Sequence, residues 1–141
     1  MVAQFGVIAA IAVLWLVPAR LDAPAVRGIA LALAAAGVVL FGSAYRAMGR
    51  SFTAFPRPLT SGEFVSSGPF RFVRHPTYGG GLLLFTGVSL ALGLYGLVAT
   101  AALAVVWWRK SELEEGVLAA RFPAYAAYRR RVPRRFLPWL L

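Results

Sequence analysis

The 141-residue sequence contains no cysteine and a single histidine, His75. The lack of cysteine excludes disulfide bonds, thiolate metal ligands and a cysteine nucleophile. One histidine argues against a histidine-built metal centre, because zinc and iron sites draw on several histidine, cysteine or carboxylate ligands. We therefore predict that the protein has no metal site.

Charged residues are also scarce, at 14% of the chain, whereas 60% of the residues are hydrophobic. A soluble domain usually has about 25% charged and about 45–50% apolar residues. The excess of apolar surface predicts a protein that lies in a lipid bilayer. The few charges are unbalanced, since 15 Lys and Arg face 5 Asp and Glu for a net charge of +10.

Two apolar segments lie in the N-terminal third of the chain. Residues 2–18 carry no charge and reach the lower length of a membrane-spanning helix. A signal peptide is the alternative, which we disfavour because no basic residue precedes the segment and further apolar segments follow it. Residues 25–45 form the second predicted span, and their many alanines and glycines favour close helix packing in lipid.

Residues 46–76 contain several prolines and glycines, which predict a loop. The next 31 apolar residues, 78–108, would be ~46 Å long as one helix, beyond a ~30 Å hydrocarbon core. We expect them to fold into a hairpin that turns at residues 93–96. The predicted fold is an all-α transmembrane bundle of about four spans in one domain. Its parts are two N-terminal spans (1–45), a loop (46–77), the hairpin (78–108) and a cytoplasmic C-terminal helical segment (109–141).

The basic residues are distributed unevenly about these spans. Four crossings place 13 of the 15 on one side, with only Arg20 and Arg27 on the other. The positive-inside bias then predicts an inner-membrane protein with both termini in the cytoplasm. The basic residues flank apolar segments, where they suit lipid headgroups, so we expect no nucleic-acid partner.

Polar residues flank both ends of the predicted hairpin. If the hairpin folds back, His75 and Tyr78 come close to Arg109, Glu114 and Glu115, forming one polar pocket at the inner face of the membrane. Ionisable groups near a bilayer are costly unless they are paired or hydrated. Their clustering therefore marks a candidate functional site.

Each of these features also has a structural interpretation. His75 precedes a proline and suits a helix cap, and the glycines at 79–81 suit helix packing. Ser111 and Glu114 match a capping box, which predicts that the helix restarts at residue 111. The arginines at 129–131 suit an anchor to anionic lipid.

Two motifs in the second half of the chain resemble the isoprenylcysteine carboxyl methyltransferase family and its bacterial relatives, a group that includes phospholipid N-methyltransferases. The resemblance covers roughly residues 60–138. Pro123 departs from the pattern, standing where the family commonly has a glycine, and only two helices precede the core. The matching residues are Arg74, His75, Pro76, Tyr78, Gly80, Glu114, Glu115, Leu118, Phe122, Tyr125, Tyr128, Val132 and Pro133.

The resemblance implies a membrane enzyme that transfers a methyl group from S-adenosylmethionine to a lipophilic acceptor and releases S-adenosylhomocysteine. It implies two catalytic residues, Arg109 and Glu114. A glutamate would pair with the amino group of the cofactor, and Arg74 or His75 with its carboxylate. The implied cofactor-binding residues are Arg74, His75, Tyr78, Gly80, Glu114 and Glu115.

An isoprenoid-like carboxylate is the expected acceptor. A carboxylate with a pKa near ~4 is already ionised at neutral pH, and the planar guanidinium of Arg109 suits it. An amine would first have to lose a proton. The alternatives are a phospholipid N-methyltransferase, an NADPH-dependent membrane reductase that shares this core, and a membrane scaffold without enzymatic activity.

Overall fold

The computed structural model of the chain describes residues 23–49 and 65–138. Four α-helices lie in these ranges, and a short 3-10 helix, Gly68–Arg71, precedes the second of them. The helices are α1 (Pro24–Met48), α2 (Pro76–Leu92), α3 (Leu94–Arg121) and α4 (Tyr125–Arg131). Both described ranges are free of strands, which confirms the all-α prediction there. The predicted first span, residues 2–18, lies outside them.

Helix α1 confirms the prediction of a helix over residues 25–45. It begins at Pro24, whose missing N–H and fixed φ suit a first helical position, and it ends at Gly49, whose φ of 48° breaks the helix. Among the described helices, α1 alone is both long enough and apolar enough to cross a membrane. The count of four spans and the cytoplasmic placement of the termini therefore stay predictions.

Glycines let α1 and α2 pack in direct backbone contact. A Cβ atom on Gly37 of α1 would lie 2.6 Å from the carbonyl oxygen of Gly80 in α2. A Cβ atom on Gly80 would lie 2.6 Å from the backbone nitrogen of Phe41. Any larger residue at either position would push the helices apart. The prediction that small residues serve close helix packing is confirmed for this pair.

Helices α2 and α3 form the predicted hairpin with a tighter turn than expected. Gly93 alone separates them, with a φ of 74° that residues with a side chain rarely adopt. Helix α3 already begins at Leu94, so three of the four residues predicted for the turn are helical.

Helix α3 continues without a break to Arg121, and the predicted restart at residue 111 is wrong. The Ser111 hydroxyl donates to the carbonyl oxygen of Trp108, 2.7 Å away within the same helix, so it caps nothing. Residues spaced four apart keep one face buried: Leu103, Trp107, Ser111 and Glu115. This face packs against the protein along its whole length, which favours one helix of 28 residues, about 42 Å long.

Substitution of Gly37 by alanine tests the packing of α1 on α2. We expect Gly37→Ala to lower the free energy of unfolding by about 1–3 kcal/mol, because backbone atoms of α2 occupy the place of the new methyl group. The measurement is thermal unfolding in detergent. Gly28→Ala on the same helix is the control, since a Cβ atom there has open space. Equal melting temperatures for the two variants would contradict this packing.

Candidate functional site

Three segments that are distant in sequence meet at one end of the hairpin. They are residues 74–78 at the start of α2, the charged part of α3 (109–115), and residues 132–138 after α4, which we call the tail. The backbone N–H of Arg74 donates to the carbonyl oxygen of Arg134 at 3.0 Å, and the N–H of His75 donates to that of Arg135 at 2.7 Å. The tail therefore lies directly against the start of α2.

Glu115 is the centre of this meeting point and is only 4% exposed. Its Oε1 accepts a hydrogen bond from Arg74 Nε at 2.9 Å and lies 3.1 Å from His75 Nε2. Burial by itself raises the pKa of this carboxyl group. The hydrogen bonds from His75 and Arg74 and the charge of Arg74 outweigh burial and lower the pKa to about 2 from 4.5. Glu115 is therefore a carboxylate at every physiological pH.

Glu114 lies beside Glu115 and is more accessible, with 22% of its side chain exposed. The Tyr78 hydroxyl donates to Glu114 Oε1 at 2.7 Å, and Lys110 Nζ lies 3.8 Å from the same oxygen. His75 Nδ1 lies 3.6 Å from Glu114 Oε2. The imidazole thus stands between two carboxylates, with one ring nitrogen facing each. His75 occupies the N-cap position of α2 without capping it. We call Arg74, His75, Tyr78, Glu114 and Glu115 the carboxylate cluster.

Arg74 holds the tail in place and is itself buried. Besides its bond to Glu115, its NH1 donates to the carbonyl oxygens of Val132 and Pro133. The hydroxyl of Tyr128 in α4 donates to the carbonyl oxygen of Phe70 at 2.7 Å and ties α4 to the same region. These bonds engage the Nε and NH1 atoms of Arg74 with the protein. The expected pairing of Arg74 with a cofactor carboxylate stays a prediction.

Aromatic rings line one side of the cluster. The Tyr78 ring stacks on His75 with centroids 5.5 Å apart and on Trp107 at 5.3 Å. Phe136 of the tail meets the edges of the His75 and Tyr78 rings at 6.2 and 6.0 Å. Rings in this arrangement displace water from the charged groups, which strengthens every electrostatic interaction among them.

The structure brings together five of the seven residues predicted for the site, namely the members of the carboxylate cluster. Arg109 does not join them. It lies two residues after Trp107, about 200° around the helix from the buried face, and its side chain is 80% exposed. Its NH1 lies 3.7 Å from Glu112 Oε2. The expectation that Arg109 shares a pocket with His75 and Tyr78 is therefore wrong, because helical phase directs it away.

Gly80 is the other exception. Its Cα faces α1, where only a glycine fits, so the contact that the structure assigns to it is helix packing. This agrees with the structural interpretation of the glycines at 79–81. A contact between Gly80 and a cofactor stays a prediction.

Arg135 was not predicted, although it lies at the cluster. Its guanidinium lies over the Trp108 ring, 4.2 Å from the centroid, and its Nε lies 3.4 Å from Glu115 Oε1. The sequence places it among other arginines that suit a lipid anchor. The only available signal was Pro133, which cannot extend α4 and so allows the tail to turn back.

The described residues form a helical protein with one apolar helix of membrane-spanning length and a cluster of buried charged side chains. The model of the phospholipid methyltransferase family matches residues 26–124, about seven tenths of the chain. The chain belongs to this family. The resemblance to isoprenylcysteine carboxyl methyltransferases is consistent with it, since both fall in one group of membrane methyltransferases. No curated protein matches the chain.

The low pKa of Glu115 predicts a pH-dependent contribution to stability. A folded pKa of about 2 against 4.5 favours the folded state by roughly 3 kcal/mol above about pH 5, and the contribution is lost as the pH falls through about 2. We expect Glu115→Gln to lower the free energy of unfolding by that order at neutral pH. The difference from the wild type should vanish near pH 2, as measured by unfolding in detergent at several pH values.

Glu112→Gln is the matched control for Glu115→Gln, because it removes the same charge from an exposed position of the same helix. We expect it to change the free energy of unfolding by less than about 1 kcal/mol. A Glu115→Gln protein as stable as the wild type at neutral pH would contradict the central place of this carboxylate.

Gly79 tests the docking of the tail. A Cβ atom at Gly79 would overlap the carbonyl carbon and oxygen of Phe136, so Gly79→Ala should displace the tail from α2. We expect faster proteolysis of the residues after α4 and loss of at least about 1 kcal/mol of stability. Gly116→Ala, where a Cβ atom meets nothing within 4 Å, is the control. Equal protease resistance in the two variants would contradict the docking.

Proposed function

We propose that this protein is an S-adenosylmethionine-dependent methyltransferase of the cytoplasmic membrane that methylates a lipophilic acceptor. The observation that carries the proposal is the carboxylate cluster, in which both halves of the family motif meet although 41 residues separate Arg74 from Glu115. The family implies S-adenosylmethionine as the methyl donor. The apolar helix α1 supports an acceptor that reaches the site from lipid.

The residues present fit such a donor. Its amino-acid end carries an ammonium group, and its sulfur carries a positive charge. Glu115 Oε2 is buried without a hydrogen-bond partner in the described part of the chain, and Glu114 is partly accessible. These two carboxylates would hold the positive groups. When bound, the cofactor supplies an electrophilic methyl group on a sulfonium sulfur.

The remaining work of the protein is positioning and exclusion of water. Methyl transfer from a sulfonium is an in-line displacement, whose rate depends on holding the nucleophile and the methyl carbon in near-attack geometry. The Arg74 guanidinium, His75 and the tail hold Glu115 in a single place. The rings of Tyr78, Trp107 and Phe136 shield the same region from water.

A lipophilic carboxylate is the acceptor that the motif implies. Arg109, whose guanidinium would suit such a carboxylate, points away from the carboxylate cluster. A phospholipid amine is the second candidate, and the matching family favours it. An amine must lose its proton before it attacks, and we infer that Glu114, which is partly accessible and accepts a hydrogen bond from Tyr78, would take that proton.

Transfer of labelled methyl groups into a total lipid extract tests the function and identifies the acceptor. We expect label in a lipid product, which alkali releases if it is an ester and retains if it is an N-methylated amine. Glu114→Gln should lower turnover by about a hundredfold if Glu114 acts as a base for an amine. Arg130→Gln, on an exposed position of α4, is the control and should keep full turnover.

Three outcomes would contradict the proposal or its parts. Full turnover in Glu114→Gln would remove that residue from the chemistry. Reduction of a lipid by NADPH, with no methyl transfer, would favour the reductase alternative. Folded protein whose thermal stability no candidate ligand changes would favour the scaffold, because a ligand that binds the native state raises stability.

A further inference from the structure

We propose that Arg135 and Glu115 together form a receptor for a zwitterionic α-amino acid group, with Arg135 binding its carboxylate and Glu115 Oε2 its ammonium. The inference rests on the proposed function for the identity of the ligand, which is the amino-acid end of S-adenosylmethionine. It assigns to a residue of the tail the carboxylate contact that the family resemblance implied for Arg74 or His75.

The first observation is a buried guanidinium nitrogen, NH1 of Arg135, that makes no hydrogen bond with the described residues. Arg135 is 9% exposed, and among the described residues its NH1 has no hydrogen-bond partner. The closest carboxylate to NH1 is Glu112 Oε1 at 3.7 Å, too far for a hydrogen bond. A buried N–H donor of a guanidinium without an acceptor is costly. A ligand oxygen at this position would satisfy it.

The second observation is a buried carboxylate oxygen, Oε2 of Glu115, that accepts no hydrogen bond from the described residues. Glu115 Oε1 lies within hydrogen-bond distance of Arg74 Nε and His75 Nε2, whereas Oε2 accepts no hydrogen bond from the described residues. Arg129 Nε lies 3.6 Å from Oε2, and its side chain is 58% exposed. This contact is a loose one between a buried oxygen and a largely hydrated arginine. An ammonium group can take its place at little cost.

These two atoms, Arg135 NH1 and Glu115 Oε2, carry opposite charge and belong to side chains that contact each other. Arg135 Nε lies 3.4 Å from Glu115 Oε1, so the free donor and the free acceptor flank one ion pair. A phosphate or fatty carboxylate would satisfy only the arginine, and a lipid amine only the glutamate. An α-amino acid group carries both charges on one carbon and satisfies both.

Two nitrogens of the Arg74 guanidinium, Nε and NH1, already donate hydrogen bonds within the protein. Its Nε donates to Glu115 and its NH1 to two tail carbonyl groups, so a ligand carboxylate bound at these nitrogens would have to break bonds that hold the tail. Arg135 needs no such exchange. Its stacking on Trp108 also fixes the plane of the guanidinium before a ligand arrives.

Calorimetry on the full chain in detergent tests the receptor with two ligands. S-adenosylhomocysteine carries the amino acid group, and 5′-methylthioadenosine has the same nucleoside and thioether without it. We expect Arg135→Gln to weaken binding of S-adenosylhomocysteine by roughly tenfold to a hundredfold and to leave 5′-methylthioadenosine unchanged. Arg130→Gln, the matched control, should leave both affinities as in the wild type.

Each other outcome overturns the inference in a distinct way. Unchanged affinity of Arg135→Gln for S-adenosylhomocysteine would remove Arg135 from the receptor. An equal loss for both ligands would show that Arg135 supports the fold of the site, and thermal unfolding with Arg135→Lys, which keeps the charge, would show whether the fold had changed. Wild-type protein that binds neither ligand would overturn both the proposed function and the receptor. Weaker binding of S-adenosylhomocysteine alone in Arg135→Gln, with normal binding of both ligands by the wild type, would support both.

Discussion

The arrangement of the site depends on the ion pairs and hydrogen bonds of one buried carboxylate, that of Glu115. A carboxylate out of water is costly unless cations and hydrogen-bond donors surround it, and here they come from two other parts of the chain. Arg74 and His75 precede α2, Arg135 comes from the tail, and Glu115 itself comes from α3. The need to neutralise one charge therefore holds the loop, the long helix and the tail in a single arrangement.

One buried face of helix α3 is apolar in its first part and polar further along, and Glu115 lies on the polar part. Leu103 and Trp107 belong to the apolar core, and Ser111 and Glu115 continue the same buried face one and two turns later. The glycine contacts between α1 and α2 bring backbones together without large side chains, so the hairpin lies close to α1. A membrane-length apolar part and a polar end are thus built from the same few helices.

The different positions of Arg109 and Arg135 show how the fold determines which arginine lies beside Glu115. Both are arginines beside an apolar segment, and both suit lipid headgroups by composition alone. Arg109 is fixed by the phase of α3, which points it outward, whereas Arg135 is fixed by backbone hydrogen bonds that lay the tail along Arg74 and His75.

The amino-acid sequence by itself determined the helical class, the turn at Gly93, and the meeting of Tyr78 with Glu114, because hydrophobic runs, glycines and a folded-back hairpin are local features with few alternatives. It also implied the family. Only the tertiary structure decided that α3 runs through residue 111, that Gly80 packs on α1, and that Arg135 rather than Arg109 faces Glu115. Those outcomes depend on which helix faces meet and on the path of the tail, which are set by contacts between distant segments rather than by a local sequence pattern.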